Sequence, residues 1–477
     1  MNLDQLRCAI AQTLPADTSF GGETPPPEFL YVPSTHMKAL RPECLLIIGA
    51  RGVGKTFWVR ALGNENLRKL LGSSVPVLDG SVIRVGFSEK PSPNYPDAET
   101  FEALTKSGHD AYDIWRTVVV RWAAEFLKDS IPTARWGDSV EWVKSDPEAV
   151  ADLMLRASQK LEKNGQYGLI LFDALDRVGN SWQIMDQIVR GLLRTALWLK
   201  AYTHISTKIF LREDQVERTV TDFPDASKLL ATRAELSWAQ HDLHGLLWQY
   251  LLNGKGKKGE SLRELYRATL DTAPEQTHGR FVPGIEVRRE TVAQRKLFEA
   301  LAGPWMGKDR RRGVPYAWVV NHLADGQGRT SPRSFLAAIR QAAEDTTERY
   351  PEHNQVLHYE SIKRGVQQAS EIRVAELAED YPWVRTLLNP LKGMTVPVAF
   401  EEIRLKWDTT FAHGPQGTDT DGRLPPQHQE LGWVGVKEDL LRLGVFEERK
   451  DGRIDMPDLY RVGFGIGRRG GIKPRNK

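Results

Sequence analysis

The feature that most constrains this chain is an apolar run followed at once by a glycine-rich loop and a helical pattern. The letters CLLIIGARGVGKTFWVRAL occupy positions 44–62. A short apolar run bounded by glycine is typical of a buried strand, and glycines let loop N–H groups curl around an anion. Gly49, Gly54, Lys55 and Thr56 match the pattern GxxxxGK[ST]. The sequence therefore predicts a phosphate-binding loop between a strand and a helix.

This loop predicts ATP as the ligand, together with Mg²⁺. Lys55 is expected to neutralise phosphate oxygens, and the Thr56 hydroxyl is expected to reach the metal. The predicted nucleotide-contacting residues are Gly49, Ala50, Arg51, Gly52, Val53, Gly54, Lys55, Thr56 and Phe57.

A second motif, YGLILFDALDR, begins at Tyr167. An apolar strand that ends in Asp173 would deliver a carboxylate to Mg²⁺ beside the loop, so Thr56 and Asp173 are the predicted metal ligands. The alternative for Asp173 is a helix-capping role. Asp176 is predicted either to orient the attacking water or to form a surface ion pair with Arg177.

Similar apolar runs predict the fold class. They recur at Ser81–Phe87, Tyr167–Leu171 and Lys208–Leu211, with helical patterns between them. Alternation of strand and helix indicates an α/β fold with a doubly wound parallel sheet, that is, a P-loop NTPase core.

Glycine-rich and polar stretches suggest the domain boundaries. We expect an N-terminal lead-in (1–40), the NTPase core (41–255) with a helical insertion at about 97–164, a helical lid domain (256–380), and a winged-helix-like domain with a basic tail (381–477). The last assignment rests on the helical pattern VKEDLLRLG and on VFEERKDGRIDM, whose KDG suits a tight turn between two strands.

The strand that closes on FDALD and is followed by Arg177 resembles the Walker B region of STAND-type and KAP-type P-loop ATPases, within the wider AAA+-like group. The resemblance implies that Arg212 senses the γ-phosphate and that Arg333 is a second sensor in the lid. The alternatives are an exposed Arg212 paired with Glu213 or Asp214, and an ordinary helix-start arginine at 333. Ala174 stands where the AAA+ pattern has Glu, which predicts slow hydrolysis.

The resemblance implies a regulatory ATPase switch that drives assembly, as a homo-oligomer, or activates a separate effector protein, in bacterial antiviral defence. One alternative is a DNA-binding AAA+-type ATPase, such as a loader or transposition helper, whose winged helix and basic tail contact nucleic acid. Another is a nucleotide-binding scaffold without turnover. The basic tail carries Arg461, Arg468, Arg469, Lys473, Arg475 and Lys477. The alternative to a nucleic-acid contact, which we favour, is that the winged helix packs on the ATPase core and the tail is a solvated end.

Composition narrows the class of protein further. A length of 477 residues predicts several domains, and a net charge of only +3 excludes a polyelectrolyte-type nucleic-acid binder. Cys8 and Cys44 have no metal-ligand spacing, and no apolar run approaches the length of a membrane helix. These observations predict a cytoplasmic protein without a membrane segment.

Overall fold

The computed structural model describes residues 2–15, 24–175, 178–179, 181–216, 218–418, 423–469 and 472–474. The chain forms two compact units. The sheet unit is built mainly from Val32–Ser237, and the helical unit contains the first helix, Pro26–Tyr31 and the chain from Trp238 onward.

The chain begins with helix α1 (Leu3–Thr13), which belongs to the helical unit. The elements of the sheet unit follow in chain order: α2 (Met37–Leu40), β1 (Leu46–Ile48), α3 (Lys55–Gly63), α4 (Glu65–Gly72), β2 (Val82–Phe87), α5 (Ala98–Lys106), α6 (Ala111–Leu127), α7 (Trp136–Ser145), α8 (Pro147–Lys163), β3 (Gly168–Phe172), α9 (Trp182–Leu199), β4 (Ile205–Leu211), α10 (Arg218–Thr221), α11 (Ala226–Leu230) and β5 (Ala234–Glu235).

The five strands form one parallel sheet in the order β2-β3-β4-β1-β5. The α/β fold class predicted from the sequence is therefore confirmed. Strand β4 lies between β1 and β3, pairing Ile48 with Leu211 on one side and Phe172 with Ile209 on the other. Because all strands are parallel, the segments after β1, β3 and β4 emerge at the same edge of the sheet. The predicted insertion corresponds to helices α5 to α8.

A buried lysine on β4 joins this strand to the segment that precedes β1. Lys208 is fully buried, and its ammonium donates to the carbonyls of Ala39, Arg41 and Cys44 at 2.8, 2.6 and 3.0 Å. An ammonium has three N–H donors, so all three are satisfied. Burial lowers the pKa of Lys208 to about 8, which leaves it mostly charged at neutral pH.

The helical unit continues with α12 (Gln240–Leu252), α13 (Gly256–Leu270), β6 (Glu275–Thr277), β7 (Arg280–Val282), α14 (Val292–Ala302), α15 (Pro315–His322), α16 (Pro332–Arg349), α17 (Tyr359–Asp380), α18 (Pro382–Leu388), β8 (Thr395–Val396), α19 (Phe400–Thr410), α20 (Gly432–Arg442), β9 (Glu447–Glu448), β10 (Ile454–Asp455), α21 (Asp458–Arg461) and β11 (Gly467–Arg468). None of the helices in the described ranges combines the length and apolar character needed to cross a bilayer.

Helix α1 is part of the core of the helical unit. It packs against α13 and α16, and the fully buried Arg7 donates to the carbonyls of Pro351, His353, Gln355 and Val356 at 2.7 to 3.0 Å. The structure thus groups the first helix, expected as a lead-in, with the C-terminal half of the chain. The helical unit resumes at Trp238, whereas the sequence predicts an NTPase core that extends to position 255.

The region after α18 has the connectivity of a winged helix. Val398 forms an antiparallel bridge to Ile454, helices α19 and α20 follow, and β9 and β10 then form an antiparallel hairpin with Glu448 opposite Ile454. The predicted turn at KDG connects these two strands. A winged-helix-like arrangement is therefore present, as the sequence predicted.

Two arginines of the basic tail are held inside the helical unit. Arg461 is fully buried and donates to Asp458 Oδ1 (2.7 Å) and to the carbonyls of Ile466 (3.2 Å) and Ile472 (2.7 Å). Arg468 pairs with Asp455 at 2.5 Å and with Asp458 at 3.5 Å. Arg469 and Lys473 are exposed, whereas Arg475 and Lys477 lie outside the described residues.

We expect Asp455→Asn to destabilise the helical unit by about 2 kcal/mol at neutral pH, since it removes a buried carboxylate partner from Arg449 and Arg468. Burial alone would raise the pKa of Asp455, but hydrogen bonds from Arg468 and Arg449 hold it below its ordinary value. Because the pKa of Asp455 is lower in the folded state than in the unfolded state, its ionised carboxylate stabilises the fold at neutral pH. This stabilisation is lost as the pH falls below about 4.

Urea unfolding followed by circular dichroism at neutral and acid pH measures this difference. The matched control is Asp451→Asn on the exposed hairpin turn. A destabilisation by Asp455→Asn that is as large at acid pH as at neutral pH would contradict the assignment.

Candidate nucleotide-binding site

The glycine-rich loop is shaped by backbone conformations that few other residues tolerate. Gly52 and Gly54 have φ values of +77° and +110°, and Gly54 is the N-cap of α3. Gly49 must also lack a side chain, because an added Cβ would lie 2.7 Å from Val53 Cγ1. The loop therefore passes from β1 into the N-terminus of α3 in a tight curve, where a helix terminus attracts an anion.

The side chain of Lys55 folds back onto the loop. Its Nζ donates to the carbonyls of Gly49 at 2.6 Å and Ala50 at 3.0 Å. The ammonium is thereby held against the loop backbone at Gly49 and Ala50. Of the other predicted loop contacts, Arg51 is half-buried and Val53 buried, while the Phe57 ring lies edge-on to Trp58 at 5.3 Å.

One hydrogen bond joins the two motifs that the sequence singled out. The Thr56 hydroxyl donates to Asp173 Oδ2 at 2.9 Å, so the first turn of α3 meets the end of β3. Asp173 is only 5% exposed. A hydroxyl and a carboxylate side by side are hard oxygen ligands of the kind that Mg²⁺ prefers.

The set of residues fits a Mg²⁺–triphosphate better than a metal bound by protein alone. No group of three His, Cys, Asp or Glu side chains within the described ranges is placed to hold a metal ion. Mg²⁺ commonly binds through one or two protein oxygens, with phosphates and water completing its shell. Thr56 and Asp173 would hold the metal, and Lys55 with the loop N–H groups would hold the phosphates.

Arg212 lies at the same edge of the sheet, directly after β4. Its Nε donates to Asp214 Oδ1 at 3.3 Å, and its side chain is only 11% exposed. This ion pair with Asp214 is one of the two alternatives for Arg212, although the side chain is partly buried rather than exposed. Its role as a phosphate sensor stays a prediction.

The described structure does not test two further candidates. Asp176 lies outside the described residues, together with Arg177. Arg333 stands in the first turn of α16 in the helical unit and pairs closely with Glu376. The roles proposed for Asp176 and Arg333 stay predictions.

A histidine that the sequence did not single out supports helix α3. The Trp58 indole donates to His36 Nδ1 at 3.0 Å, and both side chains are buried. Burial lowers the pKa of His36 to about 4, so the ring is neutral and can accept this bond. The two residues are 22 positions apart and match no motif, which is why sequence patterns could not find the pair.

Comparisons with known proteins add two solved structures. A scan of protein-family models and a search of curated proteins find no match. The Aeropyrum pernix ORC2 protein in ADPNP–ADP complexes is 11% identical with a TM-score of 0.40, and the match covers 87% of this chain and 84% of that one. Its ADP form is 10% identical with a TM-score of 0.30, covering 86% and 82%.

Ala174, which follows Asp173, adopts a left-handed backbone conformation with φ at +58°. A non-glycine residue in this region costs about 1 kcal/mol, and a β-branched residue costs more. We expect stability to fall in the order Ala174→Gly, wild type, Ala174→Val, with steps of about 0.5 to 1 kcal/mol. Urea unfolding monitored by Trp fluorescence measures the order.

The matched control is Ala151→Gly on the exposed face of α8, where glycine should instead destabilise by about 1 kcal/mol. If Ala174→Gly destabilised the protein as much as Ala151→Gly does, the left-handed conformation at Ala174 would be refuted.

Proposed function

We propose that this chain binds ATP with Mg²⁺ at the loop between β1 and α3 and hydrolyses it slowly, as a nucleotide-controlled switch. The hydrogen bond between Thr56 and Asp173 carries the proposal, because it joins a phosphate-binding loop to a buried carboxylate at one sheet edge. Either motif alone is compatible with a purely structural role, but their contact brings a hydroxyl and a buried carboxylate together at the first turn of α3.

The protein groups have separate tasks in this proposal. Loop N–H groups and Lys55 bind and orient the phosphates, and the positive end of α3 favours their charge. Thr56 and Asp173 position the metal. When bound, Mg²⁺ would neutralise charge on the β- and γ-phosphates.

Slow turnover is proposed from the residue after Asp173. Ala174 has no carboxylate to activate water where the AAA+ pattern has Glu, and its left-handed backbone turns the chain away from the extended path of β3. Asp176 is the candidate for orienting the water instead. Arg212 and Arg333 are proposed sensors of the γ-phosphate, and Arg212 pairs with Asp214 through Nε in the present structure.

The proposed switch activates a partner protein or drives the assembly of a homo-oligomer. This part of the proposal, like a role in antiviral defence, rests on the resemblance of motifs alone. The second candidate function, a DNA-handling ATPase, is favoured by the winged-helix-like arrangement of α19, α20 and the β9–β10 hairpin. The basic tail supports it less, because Arg461 and Arg468 are engaged inside the unit.

Removing the Lys55 ammonium should weaken nucleotide binding. We expect Lys55→Ala to lower the affinity for a fluorescent ATP analogue by at least about tenfold, since a charge-assisted phosphate contact is lost. Lys69→Ala, an exposed lysine on α4, is the control and should bind as wild type. Unchanged affinity in Lys55→Ala would overturn the site. Phosphate release by wild type no faster than by Lys55→Ala would identify a non-hydrolysing switch.

Asp173→Asn should separate metal binding from nucleotide binding. Asparagine keeps an oxygen that can accept the Thr56 hydrogen bond but loses the charge that attracts Mg²⁺. We expect ATP affinity in EDTA to stay near the wild-type value, while the gain on adding Mg²⁺ falls by about tenfold or more. Isothermal titration with and without Mg²⁺ measures this, with Asp152→Asn on α8 as the control. A full Mg²⁺ response in Asp173→Asn would contradict the assignment.

A further inference from the structure

The loop between α14 and α15 carries a concentrated run of positive charge. Lys308, Arg310, Arg311 and Arg312 surround the single acid Asp309, and we call residues 308–312 the basic loop. This run stands out in a chain whose net charge is only +3.

The shape of the basic loop does not depend on its cationic side chains. The backbone N–H of Met306 donates to the carbonyl of Gly313 at 2.9 Å and closes the loop. Asp309 Oδ1 accepts the backbone N–H of Arg311 at 2.9 Å and caps a 3-10 turn over Arg310–Arg312. The arginine side chains are therefore not needed to hold the turn and can serve in binding.

The charged groups of the basic loop face solvent. The Arg311 side chain is 89% exposed even though it pairs with Asp309 at 3.1 Å. Lys308, Arg310 and Arg312 are exposed, and within the described part of the chain they make no ion pair. Three adjacent arginines repel one another, and an anionic partner would relieve this repulsion. The arrangement therefore favours binding of an anion.

The geometry of the turn suits an extended polyanion. A 3-10 turn has three residues per turn, so successive side chains leave it about 120° apart. The three arginines consequently fan outward and do not converge on one pocket for a single phosphate. Arginine forks bind phosphate oxygens in pairs, and phosphates repeated along a chain can meet several forks at once.

Aromatic and basic groups adjoin the basic loop. A Cβ on Gly313 would lie 3.2 Å from Trp318 Cδ1, and the Trp318 ring stacks on His322 with centroids 3.8 Å apart. Arg295 lies 5.7 Å from the centre of the buried Tyr316 ring, but it pairs with Glu290 at 2.5 Å and so adds little free charge to this surface. Trp318 is half-buried, and aromatic rings next to positive charge are common on surfaces that bind nucleic acid.

Several other cations of the helical unit are engaged within the protein. Arg461 and Arg468 of the tail bind Asp458 and Asp455. Cations of the β9–β10 hairpin and of α20 also form ion pairs: Arg449 with Asp455, Arg453 with Asp451, and Lys437 with Glu438 and Glu448. These cations are compensated inside the winged-helix-like region, whereas Lys308, Arg310 and Arg312 of the basic loop make no ion pair among the described residues.

We propose that the basic loop binds the phosphodiester backbone of a nucleic acid, without recognising bases. The inference is independent of the proposed ATP switch, and it moves the expected nucleic-acid contact from the tail at 461–477 to the loop before α15. Backbone contacts of this type give affinity that falls steeply with salt and does not depend on sequence.

Fluorescence anisotropy of labelled nucleic acids, titrated with the full chain over a range of salt concentrations, tests the proposal. Duplex DNA, single-stranded DNA and duplex RNA of unrelated sequences are the three arms. The test variant is Arg310→Gln with Arg312→Gln, which spares the Arg311–Asp309 pair. The matched control is Arg469→Gln with Lys473→Gln, which removes the same charge from the tail.

We expect wild type to bind at least one arm at low salt, and the test variant to bind it about tenfold more weakly, with the slope of log K against log salt reduced by about two. The tail control should match wild type. The arm with the highest affinity identifies the class of nucleic acid. ATP-analogue binding by the test variant should be unchanged, which separates this result from any failure of the switch.

Three outcomes would overturn the proposal. In the first, wild type binds none of the three nucleic acids at low salt. In the second, the test and control variants lose affinity for nucleic acid equally. In the third, wild type binds vesicles that contain phosphatidylserine but binds no nucleic acid. Circular dichroism of the test variant shows that a loss of binding is not a loss of fold.

Discussion

The contact between Thr56 and Asp173 is the interaction on which the candidate site depends. It exists because β4 separates β1 from β3 in a parallel sheet, so that the loop after β1 and the acid after β3 reach the same edge from non-adjacent strands. Helix α3 must start at Lys55 for the hydroxyl of the next residue to face Asp173, and the positive φ of Gly54 sets that start. The His36–Trp58 hydrogen bond anchors the same helix one turn further on.

Three buried cations differ from the cations of the basic loop in how fully their N–H groups are hydrogen-bonded within the protein. Arg7, Lys208 and Arg461 are all fully buried, and each donates to several backbone carbonyls. Burying such a charge without partners would cost several kcal/mol, so these side chains are committed to the fold. The basic loop shows the opposite case, since its turn is held by the backbone and Asp309 while the arginines face solvent. This difference is why the expected nucleic-acid contact moves from the tail to the basic loop.

The nucleotide switch and the proposed nucleic-acid surface belong to different units of the chain. The sheet unit contains the loop, Asp173 and Arg212, and the helical unit contains Arg333, the winged-helix-like region and the basic loop. The left-handed Ala174 lies directly beside Asp173, where a small change in backbone conformation would alter the position of the carboxylate. The proposed slow turnover would suit a protein whose bound nucleotide defines a state, to which a partner protein or a further copy of the chain responds.

The sequence by itself determined the strand, loop and helix around Lys55, the acid at the end of β3, the α/β class, and the helix and hairpin near the C-terminus. These are local features, in which apolar runs, glycines and turn residues act over a few positions. Only the tertiary structure decided that Arg7 donates to the carbonyl of Val356, that Arg461 is buried, and that Lys208 is enclosed by three carbonyls. The physical reason is that the environment of a charged side chain depends on donors and acceptors from distant parts of the chain, which a local pattern does not encode.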